Sequence, residues 1–174
     1  MNKLMLTCIA ATAGLGGCAS MPSEEAMNCF QPNRRVVVEV GGTKEKKPPK
    51  LKPGEKAKKL RPDNVMSKGL AQGNASWDFG KAELKEGGQK ELDKLVKLLE
   101  KGTKRDPRPT KVSSIIVAGH TDSYEAESGP ANLSEMRAQA VVKYLSSKGL
   151  NSKSMFWEGK GAKQPMQVTK FCEK

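Results

Sequence analysis

The chain has 174 residues, with 31 Lys and Arg against 19 Asp and Glu, a formal charge of +12 and a pI near 9.6. That balance calls for an acidic partner or surface. One histidine, four cysteines and no Cys-x-x-Cys leave little for metal or thiol-redox chemistry, so no cofactor is expected.

The first residues read as an export signal. Lys3 supplies a short positive region, and Leu4 to Leu15 is apolar apart from Thr7, Cys8 and Thr12. At about a dozen residues this run is too short to span a bilayer but suits a signal-peptide core. Leu15-Gly-Gly-Cys18 resembles the lipobox of bacterial lipoproteins. That resemblance implies cleavage after residue 17, lipidation of Cys18 with acyl chains such as palmitate, and outer-membrane delivery, since Ala19 rather than aspartate follows. Several acyl chains together exceed the roughly two signals that stable anchoring needs. The alternative is cleavage near Ser20, leaving a soluble periplasmic protein. An exported chain meets wall polymer, phospholipid and lipopolysaccharide, so nucleic acid, the usual partner of a basic intracellular domain, is not expected. Cys29 and Cys172 remain as a candidate disulfide in an oxidising compartment, with free or intermolecular thiols as the alternative.

Residues 18–62 read as a leader and linker, and 63–174 as the folded domain. Arg35-Val-Val-Val-Glu-Val40 has the β-branched density of a short strand, closed by Gly41-Gly42. Thr43 to Pro62 is rich in lysine and proline and reads as an extended, self-repelling linker, with weak adhesion to acidic wall or headgroups as its functional alternative. A flexible coil of about fifty residues would span roughly 35–45 Å, giving an anchored domain reach toward the wall. Ala75-Ser-Trp-Asp-Phe79 reads as a strand. Leu84 opens a helical region with Leu92, Leu95, Val96 and Leu99 on one face, and Gly102 is placed to stop it. Val112 to Ala118 is a strand, Pro130 to Ser147 a helix, and Ser154 to Glu158 a third strand. The order β-α-β-α-β predicts an α+β fold, a small sandwich with helices on one face of a mixed sheet.

Arg137 interrupts an apolar stripe of Leu133, Ala140, Val141 and Tyr144 on the second helix. A guanidinium facing a core needs a carboxylate. The preceding strand delivers Asp122, fifteen residues earlier in sequence, to the same end. The two either pair with each other or together hold a ligand that carries an ammonium and a carboxylate.

The motifs around this pair are specific. Gly119-His-Thr-Asp122, Leu133-Ser-Glu-Met-Arg-Ala138, Val141 and Tyr144-Leu145 resemble the OmpA-like C-terminal peptidoglycan-binding domain family. Trp77-Asp-Phe-Gly-Lys81 upstream and Gly159-Lys-Gly-Ala-Lys-Gln-Pro165 downstream are similar to its flanking segments. The resemblance covers roughly residues 65–168. It implies that Asp122 takes the ammonium and Arg137 the carboxylate of the diaminopimelate D-centre, through a fork of donors. Asp78, Phe79 and Gly80 would line the neighbouring wall, with Thr121, Leu133 and Asn132 carried over from the same motifs. Two positions depart from the family pattern. Pro130 stands where the family has asparagine, with Asn132 two residues later; a missing amide would cost about 0.5–1.5 kcal/mol. Glu125 stands in place of a glycine, either repelling a stem-peptide carboxylate or facing solvent.

The resemblance thus implies a non-enzymatic tether between outer membrane and peptidoglycan, lipid-anchored and facing the periplasm. A second reading makes the chain the wall-anchoring component of a larger envelope complex (secretion, stator or porin assembly), recruited through its leader. A hydrolase built on His120, Asp122 and Ser134 lacks a nucleophile elbow, so no enzymatic activity is expected.

Overall fold

The computed structural model describes residues 24–46, 61–73 and 75–167. A short helix α1 (Glu24–Phe30) and a 3-10 turn lead into strand β1 (Arg35–Lys44), which pairs antiparallel with β2 (Asp63–Gln72). Helix α2 (Glu86–Lys101), strand β3 (Lys111–His120), helices α3 (Ser123–Ser128) and α4 (Leu133–Ser147) and strand β4 (Met155–Gly161) follow. The four strands run in the order β2-β1-β3-β4, with β3 and β4 parallel and the other pairs antiparallel. Parallel neighbours need a long crossover, and α3 and α4 supply it. The expected α+β fold, a mixed sheet with packed helices, is what the chain adopts.

Strict alternation along the central strands sets the two faces. Val36, Val38 and Val40 of β1 and Ile115 and Val117 of β3 are buried, and Leu92, Leu95, Val96 and Leu99 of α2 and Val141 and Leu145 of α4 close over them. Each such side chain taken from water contributes about 1.5–3 kcal/mol. On the other face Met66, Leu70, Ile116 and Phe156 stay exposed. Gly102 ends α2 with φ 69°, a left-handed conformation that glycine takes without a Cβ clash, and its N–H returns to Leu98 O at 2.9 Å.

Four expectations are corrected. The valine run assigned to a leader is the inner strand β1, longer than expected and flanked on both sides, because its alternating face fills the core. The lysine- and proline-rich stretch therefore joins two adjacent strands, with Lys44 opposite Asp63, and does not separate an anchor from a domain. Its residues 47–60, like Cys18 and Cys172, lie outside the described residues. Cys29 is disulfide-bonded, and its expected pairing with Cys172 lies outside them too. Ala75 to Phe79 forms turns, not a strand: Ser76 and Trp77 both donate to Gly73 O at 3.0 Å, which folds the buried Trp77 under the sheet edge. Its indole N–H donates to Ala71 O at 3.1 Å. The first long helix starts at Glu86 and the second at Leu133, two and three residues inside the expected Leu84 and Pro130.

Candidate functional site

The site forms where β3 ends and α4 begins. Gly119 and Gly159 are direct neighbours across β3 and β4. A Cβ on Gly119 would collide with the Ser134 carbonyl, and one on Gly159 would lie 2.6 Å from Ser134 Oγ and 2.7 Å from Glu135 N. The paired glycines let the first turn of α4 settle directly on the sheet, and Arg137 one turn later is carried inside. Leu133 beside it is buried, whereas Asn132 at the helix start is exposed and makes no side-chain capping bond.

Asp122 follows β3 and caps α3, its Oδ1 accepting from Glu125 N at 2.7 Å. Its other oxygen lies 3.1 Å from Arg34 Nε, just before β1. Arg137 is turned the other way along the cluster. Its Nη1 donates to Glu125 Oε2 at 2.7 Å and its Nη2 to Oε1 at 2.6 Å. Nε donates to Lys81 O at 2.9 Å and Nη2 also to Asp78 O at 3.1 Å. Gly80 N donates to Glu125 Oε1 at 2.9 Å. Arg34, Asp122, Glu125 and Arg137 are all buried, so two cations and two anions share one enclosed cluster of zero net charge. The guanidinium of Arg137 lies 5.4 Å from the Trp77 ring centre and that of Arg34 5.7 Å from Phe79.

Burial raises the Asp122 carboxyl above its ordinary range, opposed by the Glu125 N–H and the Arg34 charge. Burial also lowers the Arg34 guanidinium. Next to the cluster, His120 is pushed down to about 4, first by burial and then by the Arg35 and Lys160 charges. Thr121 is buried and its N–H donates to Gly161 O at 3.2 Å.

The structure thus brings Asp122 and Arg137 into one cluster without pairing them to each other. Of the anticipated wall, the backbone of Asp78 and Gly80 faces the cluster. The Asp78 carboxylate instead pairs outward with Lys85 at 2.8 Å and Lys81 at 3.8 Å. Lysine neighbours hold that carboxyl below its usual range. Glu125 neither faces solvent nor stands free to repel a carboxylate; it is enclosed by Arg137. Sequence reasoning missed Arg34 and the role of Glu125. Asp122-Ser-Tyr-Glu125 has the spacing of a helix capping box, a signal for α3, but a capping-box glutamate folds back on its own helix, whereas Glu125 reaches Arg137.

The OmpA family model matches residues 76–173, the stretch that holds Asp78, Asp122, Glu125 and Arg137. The chain belongs to the OmpA family. Among its relatives, Outer membrane protein A of Bordetella avium is 32% identical over 115 residues, covering 66% of this chain and 55% of that protein. Outer membrane protein A of Citrobacter freundii is 39% identical over 90 residues, covering 52% of this chain and 35% of that protein. The chain therefore spans about half the length of one relative and a third of the other. The OmpA-like domain of FopA1 from Francisella tularensis subsp. tularensis SCHU S4 aligns at 26% identity with a TM-score of 0.38, over 50% of this chain and 54% of that one. Arg34, which precedes the matched stretch, adds a charge to this OmpA-family site from outside it. Among the described residues no helix is long and apolar enough to cross a membrane.

Proposed function

We propose that this OmpA-family chain binds peptidoglycan non-covalently and without catalysis, through the diaminopimelate of the stem peptide, and so ties the outer membrane to the wall. The observation that carries this reading is the enclosure of Asp122 and Arg137, a carboxylate and a five-donor fork, in one buried cluster at the end of β3. A ligand with an ammonium and a carboxylate on one carbon matches that pair in charge. Gly80, Asp78 O and Phe79 form the adjoining wall. Lipidation at Cys18 would hold the chain at the outer membrane with this domain in the periplasm.

Sedimentation with purified diaminopimelate-containing peptidoglycan tests the reading on the full chain in detergent. Asp122→Asn and Arg137→Lys should each lose at least tenfold in affinity while keeping the native circular dichroism spectrum. Undiminished co-sedimentation of both folded variants would sink the assigned site.

The second reading, a wall-anchoring part of a larger envelope complex, finds support in the outward sheet face, where Met66, Leu70, Ile116 and Phe156 are exposed. The valines of β1 cannot serve such a partner, because Val36, Val38 and Val40 fill the core.

A further inference from the structure

We infer that the ligand clamp is occupied by the protein's own side chains, Glu125 standing in for a ligand carboxylate at Arg137 and Arg34 for a ligand ammonium at Asp122. This deepens the proposed function and rests on that reading of the site.

The geometry of both arms supports it. Glu125 meets Arg137 as an external carboxylate would, with two parallel contacts of 2.7 and 2.6 Å from the two terminal nitrogens. Lys81 O and Asp78 O take further donors of the same guanidinium, so no edge of the fork faces outward. Gly80 N, an N–H well placed for a bound anion, is likewise spent on Glu125 Oε1 at 2.9 Å. On the other arm, Arg34 Nε forms an ion pair with Asp122 Oδ2 at 3.1 Å, and Glu125 N donates to Oδ1 at 2.7 Å. None of the four charged side chains is more than slightly exposed.

A ligand must therefore displace Glu125 before it reaches Arg137. Displacing the Glu125 carboxylate frees the Arg137 fork, but Arg34 must also yield before a ligand ammonium can take its place at Asp122. A zwitterion that replaces both arms keeps every buried charge matched, whereas a plain carboxylate replaces one. Glu125 thus acts as an internal competitor that sets affinity and favours ligands bearing both charges. It is carried on α3, a helix of six residues whose N-cap is Asp122 itself, so movement of Glu125 and release of Asp122 are mechanically joined.

Calorimetry on the full chain in detergent, with a stem tripeptide ending in meso-diaminopimelate, tests this. Glu125→Gly should bind at least tenfold more tightly than the unaltered chain, and Glu125→Gln by a smaller factor, because a neutral amide competes less well for the fork. Adding Arg137→Lys to Glu125→Gly should remove the gain. If Glu125→Gly does not fold, Glu125→Gln carries the comparison. Equal affinity of the unaltered chain and the folded variants, lost on Arg137→Lys, overturns the internal competitor and leaves wall binding standing. Tighter binding by the unaltered chain also overturns it, making Glu125 a support of the site. Absence of binding by the unaltered chain and by both folded variants overturns the wall reading together with this one.

Discussion

Arg137 and Glu125 are joined end to end by contacts of 2.7 and 2.6 Å, with neither side chain exposed to water. A buried pair of this kind adds little over an apolar pair of equal volume, but removing one member strands the other. Arg137→Ala and Glu125→Ala should each cost about 3–5 kcal/mol in urea unfolding. Glu125→Leu combined with Arg137→Met should cost far less than the two single losses together. Strict additivity in this cycle would show that the pair is not energetically coupled.

His120 makes stability fall in acid. Its imidazole is buried beside Arg35 of β1 and Lys160 of β4, with Glu158 opposing them, and its pKa is lowered to about 4 against 6.5. The unfolded chain thus binds more protons between those values, so stability declines as pH falls from about 6.5 towards 4. The expected loss is about 2–3 kcal/mol. Urea midpoints measured across this range should flatten in His120→Gln; an unchanged pH slope would count against a neutral His120.

Gly119 is where α4 touches the sheet. Gly119→Ala drives a methyl group into the Ser134 carbonyl. Overpacking of this kind costs about 1–3 kcal/mol. The shift of α4 should also weaken stem-peptide binding, since the same helix carries Arg137. A variant with unaltered unfolding midpoint and affinity would show that the helix has room to spare.

A fragment of residues 63–174 should not fold. It lacks β1, which lies between β2 and β3 in the sheet, and with it Val36, Val38, Val40 and Arg34. The expected result is a collapsed amide spectrum and no cooperative unfolding transition. A dispersed spectrum from this fragment would mean that β2 can pair with β3 directly.

The parts of the fold legible in the sequence were those with strong periodicity. Leu92, Leu95, Val96 and Leu99 marked α2, the apolar end of β3 was continuous, and the family motifs fixed where Asp122 and Arg137 lie along the chain. β2 was invisible because its inward positions include Ser67, Gly69 and Ala71, small residues with weak strand preference; Gly69 is small because Leu95 packs 2.7 Å from where its Cβ would be. β1 was seen but misplaced, because the lysines and prolines after it have the composition of a linker. Trp77 and Phe79 alternate like strand residues, yet the backbone there turns. The partners of the site escaped for a different reason. Arg34 reaches Asp122 across 88 residues of chain, a distance that no local pattern encodes.

The placement of β1 also changes what the basic stretch after it can be. Residues 45–62 begin and end on neighbouring strands that hold each other along their whole length, from Arg35 opposite Gln72 to Lys44 opposite Asp63. Covalent continuity through that stretch is thus not what keeps the two strands together. A protease cut within it would yield two pieces still joined by the ladder and the valine core, and the pieces made separately could reassemble.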